Sequence, residues 1–250
     1  MRLSFLHYEE IVRRHKIRAS KRLFKISKGE VFAGPYKGLR IPQQLGFNSN
    51  DLGSILIGEY EKPIQRFLNT DEGWDLFIQL GSGFGINVVG MVFSGKAKKA
   101  IGFELDTKMH AIAHDFAVEN EVQEVEFFGA ISKENILRSS MSWNSKSTLL
   151  LCDVEGFEFE LFDEDVMSAL DHTTIIVEIH EFPSGGGQTN NLIKRAQKYF
   201  FVEVIDHYTR ELTRVPLLDS IHDDLRFLLL SEGRPMLMQY LILNPRSISH

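Results

Sequence analysis

The chain has 250 residues, of which 43% are hydrophobic and 25% charged, a composition typical of a soluble α/β domain with an N-terminal extension. Its net charge of −6 argues against nucleic acid as an obligatory partner. Cys152 is the single cysteine, which excludes an intramolecular disulfide and favours a reducing, cytoplasmic location. No run approaches the roughly 20 apolar residues that a membrane span needs.

The first 70 residues predict a basic helix followed by an irregular extension. Residues 1–30 carry nine Lys or Arg against three Glu, so their charge is +6 and that of residues 31–250 is −12. Residues 31–56 are rich in Gly, Pro and Asn and predict an irregular segment, and residues 57–70 resume a helical pattern. The basic helix has three interpretations: a solvated helix, which we favour, a contact with an anionic membrane surface or partner, or a contact with RNA.

Residues 71–250 predict one domain in which short apolar strands alternate with helices. Strands are predicted at 75–80, 100–105, 124–129, 147–154 and 173–180, with two more at 201–208 and 239–244. Apolar strands without period-2 alternation indicate a parallel sheet covered on both faces. A helix is predicted through 157–170. The last two strands are separated by a predicted loop at 209–238, which suits an antiparallel edge.

The strongest motif is the glycine turn after the first predicted strand. In "FIQLGSGFG" (77–85), Gly81, Gly83 and Gly85 lead from a buried strand into a helix, where missing Cβ atoms and helix N-terminal amides suit a ligand. The spacing departs from the GxGxxG dinucleotide fingerprint, and a plain glycine-rich turn is the alternative. Glu104 ends the second strand, where an acid can accept both ribose hydroxyls of an adenosine ligand. Its alternative is a solvated acid at a strand end.

With these residues the sequence resembles the class I S-adenosylmethionine (SAM) dependent methyltransferases, and more narrowly the FkbM-like sugar and natural-product O-methyltransferases. The resemblance covers roughly residues 31–245 and is carried by "LGSGFG" (80–85), "FEL" (103–105), "CDVEGFEFELF" (152–162) and "VEIHEF" (177–182). It implies a Rossmann-like class I methyltransferase fold, with a mostly parallel seven-stranded sheet whose last strand is antiparallel.

The resemblance also implies SAM as the cofactor. The methionine part is expected over the glycine turn, the ribose on Glu104 and the adenine after the third strand. Many class I enzymes have an acid two residues before the first glycine; here Gln79 can bond the ligand's amino group without the charge-assisted contact. Tyr60 and Glu61 are expected at the methionine end, with a surface helix pair as the alternative. The expected cofactor residues are Tyr60, Glu61, Gln79, Gly81, Ser82, Gly83, Gly85, Glu104, Gly129 and Ala130.

A second group of polar residues follows the fourth and fifth strands. Asp153 and Glu155 come after the fourth strand, and Glu178 and His180 end the fifth on one side of it, where open α/β sheets bind ligands. We predict His180 as general base for a hydroxyl nucleophile, with Asp153 orienting it or acting as the base itself, and Glu155 and Glu178 as substrate-binding. The alternatives are helix caps with a polar strand end, or an Mg²⁺ or Mn²⁺ site on Asp153, Glu178 and His180.

These residues predict a SAM-dependent methyltransferase that methylates a hydroxyl on a sugar, a glycan or a small natural product. An RNA or protein methyltransferase is the second hypothesis, motivated by the basic N-terminus, although "CDVEGFE" does not resemble the "NPPY" motif of base N-methylation. A non-catalytic SAM-fold binding protein is the third hypothesis, motivated by Gln79.

Overall fold

The computed structural model describes residues 2–43, 50–144, 147–181, 186–206, 218–234 and 238–246, with side chains from residue 8 onward. The chain divides into two compact units. One unit comprises residues 1–65 and 208–236, and the other comprises residues 66–207 and 237–250. The domain limits of 1–70 and 71–250 stay a prediction, since residues 208–236 group with the N-terminal residues.

The second unit is built on a mixed sheet of seven strands. The strands are β1 Trp74–Leu80, β2 Ala97–Phe103, β3 Val125–Phe128, β4 Thr148–Cys152, β5 Thr174–Ile179, β6 Phe200–Asp206 and β7 Gln239–Pro245. Their spatial order is β3-β2-β1-β4-β5-β7-β6. Strands β1 to β5 pair in parallel, whereas β7 is antiparallel to both β5 and β6. The predicted Rossmann-like class I methyltransferase fold, with its antiparallel last strand, is confirmed.

The central strands form because they are apolar on both faces. Every residue of β4 is buried, as are the last five of both β1 and β5. Side chains such as Leu150, Ile175 and Leu241 pack into one hydrophobic core. Full burial of each such side chain contributes about 1.5–3 kcal/mol. The edge strand β3 alternates between half-buried and exposed residues, as expected of a strand with a neighbour on one side only.

Helices precede, connect and follow these strands. Their bounds are α1 Arg2–Ser27, α2 Leu52–Ile57, α3 Gln65–Leu68, α4 Ile86–Phe93, α5 Thr107–Glu119, α6 Lys133–Asn144, α7 Glu158–Leu161, α8 Glu164–Ala169, α9 Gln188–Ala196 and α10 Asp223–Leu230. The predicted N-terminal helix is thus confirmed as α1. Helix α5 begins after Asp106, whose carboxylate accepts the Lys108 N–H as an N-cap. Within the described ranges, no helix is long and apolar enough to cross a membrane.

The single helix predicted through 157–170 is wrong, because this segment forms α7 and α8. Asp163 lies between them and accepts the Val166 N–H at 3.0 Å, which makes it the N-cap of α8. Aspartate favours a cap over a helix interior because its short side chain competes for backbone N–H groups. The break leaves α7 as a single turn directly after the loop that follows β4.

Two segments predicted to be irregular contain helices of the first unit. Helix α2 lies within 31–56 and extends to residue 57, and α10 lies within 209–238; both pack against α1. Every residue of α2 is buried. A Cβ on its Gly53 would come 2.6 Å from the Leu229 backbone oxygen of α10, so the glycine permits close helix contact. This glycine is typical of a turn in sequence, yet its role is packing.

Candidate active site

The glycine turn between β1 and α4 lies against the end of β4. Gly81 has a φ of +77°, and a Cβ there would come 1.7 Å from the Asp153 backbone oxygen, so only glycine fits. The N–H groups of Gly81 and Ser82 both donate to the Phe103 oxygen at 2.9 Å. Gly83 has a φ of +51° and open space around its Cβ position. The turn therefore lies between the ends of β2 and β4, with Gly83 on its open side.

Glu104 follows β2, and its carboxylate bonds directly to the glycine turn. Its Oε2 accepts the Gly83 N–H and its Oε1 accepts the Asp106 N–H, each at 2.8 Å. His110 Nε2 lies 2.7 Å from the Glu104 backbone oxygen. An ionised carboxylate has about four acceptor positions, so two remain for hydroxyl groups of a ligand. The structure thus brings together the turn and the acid that the sequence predicts for an adenosine ligand.

Two buried polar side chains at the turn each have an atom without a hydrogen-bond partner among the described residues. These atoms are Oε1 of Gln79 and Oγ of Ser82, and each residue is only 3% exposed. Gln79 Nε2 donates to the Gly81 oxygen at 3.3 Å, which holds the amide beside the turn. A buried polar atom without a partner costs about 1–3 kcal/mol. Both atoms therefore favour a polar group of a ligand at this position.

The other predicted cofactor residues of the second unit lie at the same edge of the sheet. Gly85 is the N-cap of α4 with a φ of +84°, and its N–H donates to the Ser82 oxygen at 2.8 Å. Gly129 and Ala130 are exposed directly after β3. Phe128 precedes them and is 46% exposed, which offers an apolar surface beside the end of β2. Adenine binding at Gly129 and Ala130 stays a prediction.

Tyr60 and Glu61 belong to the first unit. Neither residue lies in an α-helix, and Glu61 is only 2% exposed with a φ of +50°, so the alternative of a surface helix pair is wrong. The Glu61 N–H donates to Glu232 Oε1 at 2.7 Å, and the backbone oxygen of Tyr60 accepts from Gln65 Nε2 at 2.9 Å. Burial, together with the Glu61 charge, raises the pKa of Tyr36 well above its usual value. Cofactor contacts by Tyr60 and Glu61 stay predictions.

His180 lies where the carboxyl ends of β4 and β5 meet. It follows β5, is 8% exposed, and has its Nε2 3.4 Å from Asp153 Oδ1 and 3.6 Å from Glu155 Oε2. Glu155 has a φ of +52°, an uncommon conformation outside glycine, and its side chain is 84% exposed. The structure therefore brings together Asp153, Glu155 and His180, three of the residues that the sequence predicts for catalysis and substrate binding.

Glu158, at the start of α7, is an acid of this cluster that the sequence analysis missed. Its side chain is fully buried, and its Oε1 accepts the His180 N–H at 2.7 Å and lies 3.5 Å from His180 Nδ1. Its Oε2 accepts the Gly156 N–H at 2.8 Å. The neighbouring Phe157 is 42% exposed, so in this turn the charged residue is buried and the apolar one faces solvent. Periodicity cannot reveal such a residue; the only signal was an acid within the apolar segment "GFEFELF".

The charges around His180 shift two pKa values in opposite directions. Burial lowers the pKa of His180, but the Glu158 carboxylate, 3.5 Å from Nδ1, and the charges of Asp153 and Glu155 outweigh burial and raise it. Burial raises the pKa of Glu158, but the nearby His180 side chain and the hydrogen bond from the His180 N–H outweigh burial and lower it. His180 is thus an imidazole whose protonated form is stabilised by its surroundings.

Glu178 is buried on β5, and one of its oxygens lies within 4.8 Å of one of Asp153. Single ligand atoms of Asp153, Glu155 and His180 also lie within 4.8 Å of one another. Within the described part of the chain, the set close to His180 thus contains Glu155 instead of the predicted Glu178. Carboxylate and imidazole groups are ligands of divalent cations, and Mg²⁺ binding stays a prediction. The substrate-binding roles of Glu155 and Glu178 stay predictions as well.

No family model and no curated protein matches the chain. Solved structures similar to it include spermidine synthase in complex with the transition state analogue AdoDATO, at 14% identity over 73% of this chain and 59% of that one, with a TM-score of 0.48. Precorrin-6y C5,15-methyltransferase from Geobacter metallireducens GS-15 shares 9% identity over 69% of this chain and 81% of that one, with a TM-score of 0.43. The methyltransferase domain of bacterial CtHen1 shares 15% identity over 68% of this chain and 91% of that one, with a TM-score of 0.38.

The chain spans less than two thirds of the length of the spermidine synthase that it matches. At identities this low, similarity extends to the fold alone. The FkbM-like affiliation therefore stays a prediction. The activity has to be inferred from the chain's own residues.

Proposed function

We propose that this chain is a SAM-dependent methyltransferase that transfers a methyl group to a hydroxyl oxygen of a sugar, a glycan or a small natural product. The observation that carries the proposal is the 2.8 Å bond between Glu104 Oε2 and the Gly83 N–H. It joins a carboxylate with acceptor capacity for two hydroxyls to a glycine turn whose Gly83 has open space beside it. A nucleoside ligand such as SAM needs the carboxylate for its ribose hydroxyls and the open turn for the group attached to the ribose.

The residues of the turn fit SAM in kind. Glu104 would accept the two ribose hydroxyls at its remaining acceptor positions. The buried Gln79 Oε1 and Ser82 Oγ would accept hydrogen bonds from the ammonium group. The amides at the start of α4 would attract the carboxylate of the ligand. Bound SAM supplies an activated methyl group on a sulfonium, so no further activation of the donor is needed.

The cluster around His180 supplies the chemistry that the acceptor needs. His180 Nε2 would take the hydroxyl proton, which makes the oxygen a better nucleophile. Asp153, 3.4 Å from that nitrogen, would stabilise the imidazolium that results. Glu158, 3.5 Å from Nδ1, would hold the ring in one orientation throughout. The exposed Glu155 side chain would contact the acceptor and orient its other hydroxyl groups.

Calorimetric titration with SAM tests the cofactor, and transfer of a labelled methyl group tests the acceptor. We expect SAM to bind at micromolar concentration and the label to appear on members of a panel of sugars, glycans and hydroxylated natural products. Absence of SAM binding at millimolar concentration would refute the proposal altogether. Binding without transfer to any acceptor would favour a non-catalytic SAM-binding protein. Label on RNA or protein instead of the hydroxyl panel would refute the acceptor class only.

A further inference from the structure

The first helix carries an exposed face that the proposed function does not use. Four apolar side chains of this face are open to solvent: Tyr8 is 65% exposed, Ile11 40%, Val12 53% and Ile26 59%. The opposite side of the helix is packed, with Ser20 at 1% and Phe24 at 9%. Exposed apolar residues aligned on one side of a long helix indicate a contact with something outside the chain.

Cations lie on the same side of the helix, between Val12 and Ile26 along its axis. Arg18, Arg22 and Lys25 are exposed on α1, and His15 is exposed among them. At about 100° per residue, the apolar and basic positions together occupy an arc of about 140° around the helix. Glu9 and Glu10 lie outside this arc. The exposed face is therefore apolar and cationic, and it contains no acid.

The side of α1 that carries acid is electrostatically separate from this face. Glu10 Oε2 lies 2.9 Å from Arg13 Nε, and Glu10 Oε1 lies 2.9 Å from Arg14 Nε. These two bonds hold the pKa of Glu10 down at about 2. Glu10 therefore remains an anion whose charge is matched by its own neighbours. Within the described ranges no acid pairs with Arg18, Arg22 or Lys25, so their charges are available to a partner.

We propose that this face of α1, formed by Tyr8, Ile11, Val12, His15, Arg18, Arg22, Lys25 and Ile26, binds the surface of an anionic phospholipid bilayer. The helix would lie in the plane of the interface, with the aliphatic side chains among the acyl chains and the cations at the phosphates. Charge complementarity favours this partner, because acidic lipid attracts each cation near its surface. Single-stranded RNA is disfavoured, since such sites combine cations with several stacking aromatics and this face offers Tyr8 alone.

Sedimentation of the full chain with vesicles tests the proposal. Vesicles of 30% phosphatidylserine in phosphatidylcholine should sediment the protein at about 0.1 M salt, and pure phosphatidylcholine should not. The double variant Arg18→Gln, Arg22→Gln should bind about thirtyfold more weakly, because each cation near an acidic surface strengthens binding roughly fivefold. Gln and Arg have similar helix propensities, so α1 should stay folded, as circular dichroism would verify.

A matched control removes two cations elsewhere. Lys108→Gln with Lys194→Gln causes the same loss of charge at exposed positions outside α1 and should leave vesicle binding unchanged. Ile11→Gln with Val12→Gln should weaken binding about tenfold through lost insertion.

If the Lys108, Lys194 control lost as much vesicle binding as the Arg18, Arg22 variant, the attraction would be non-specific and the proposal would be overturned. Full vesicle binding by either α1 variant would also overturn it. Retention of RNA in place of vesicles, or self-association that the Arg18, Arg22 variant abolishes, would overturn it too. None of these measurements involves SAM, so they do not depend on the proposed function.

Discussion

Replacing Glu104 by alanine is the most direct perturbation of the proposed cofactor site. In the folded protein this carboxylate accepts two backbone N–H groups, those of Gly83 and Asp106, at 2.8 Å each. The side chain is only partly buried, so water can reach both amides after the substitution. We therefore expect a loss of about 1 kcal/mol in the free energy of unfolding, and a variant that still folds.

The cost to cofactor binding should be larger than the cost to folding. A hydrogen bond from a neutral hydroxyl to a carboxylate contributes about 1.5–3 kcal/mol, and the two remaining acceptor positions of Glu104 allow two such bonds. Even if water partly replaces these hydrogen bonds, Glu104→Ala should weaken the free energy of SAM binding by at least about 2 kcal/mol. That loss raises the Kd for SAM about thirtyfold or more.

Isothermal titration with SAM measures this effect directly. Glu119→Ala is a matched control, because Glu119 is an exposed acid on α5 whose removal changes the net charge equally. The control should keep the Kd of the unmodified chain. A SAM Kd that Glu104→Ala leaves within threefold of the original would refute the ribose role of Glu104.

Three further results follow from the geometry. His180→Gln should slow methyl transfer at least about a hundredfold while the SAM Kd stays the same, since the ring acts on the acceptor; an unchanged turnover would remove His180 from the mechanism. Gly81→Ala should lower the free energy of unfolding in urea by about 3 kcal/mol or more, because its Cβ would lie 1.7 Å from a backbone oxygen. Gly83→Ala should lower it by about 1–2 kcal/mol, for its left-handed φ alone. Equal losses in the two variants would contradict the close approach at Gly81. His180 has a raised pKa and Glu158 a lowered one, so the stability from His180 is complete below about pH 6.5 and is lost as pH rises through its folded pKa. The contribution of Glu158 is present above about pH 4.3 and is lost as pH falls through its folded pKa. The free energies of unfolding of the unmodified chain and of His180→Gln should therefore differ more at pH 6 than at pH 9. The opposite order would exclude the interaction between His180 and Glu158.

The central strands of this fold could be predicted because they are buried on both faces. A run such as "STLLLCDV" has no amphipathic alternation and cannot lie at a surface, so its identity as a central strand follows from composition alone. The glycine turn was predictable for a related reason, since Gly81 is the residue that a backbone contact with Asp153 demands.

Residues whose roles depend on distant neighbours could not be predicted. Glu158 belongs to the site only because the segment after β4 turns it inward beneath His180, and nothing in "FEFE" separates it from the solvated Glu160. Helix α2 was hidden because Gly53 resembles a turn residue until its contact with Leu229 is known. In both cases tertiary packing overrides the local pattern.

The glycine turn and Asp153, one of the acids around His180, are positioned by the same strand pairing. Leu80 at the end of β1 is in register with Cys152 at the end of β4, and the Asp153 N–H donates to the Leu80 oxygen at 2.8 Å. Gly81 in turn fits against the Asp153 backbone oxygen. A group bound at the turn and a group bound at Asp153 would therefore be aligned by two buried strands instead of by loops. Near-attack geometry depends on such rigid placement, since errors of about 1 Å can cost a hundredfold in rate. Substitutions that shift β1 against β4 should then impair cofactor binding and methyl transfer together.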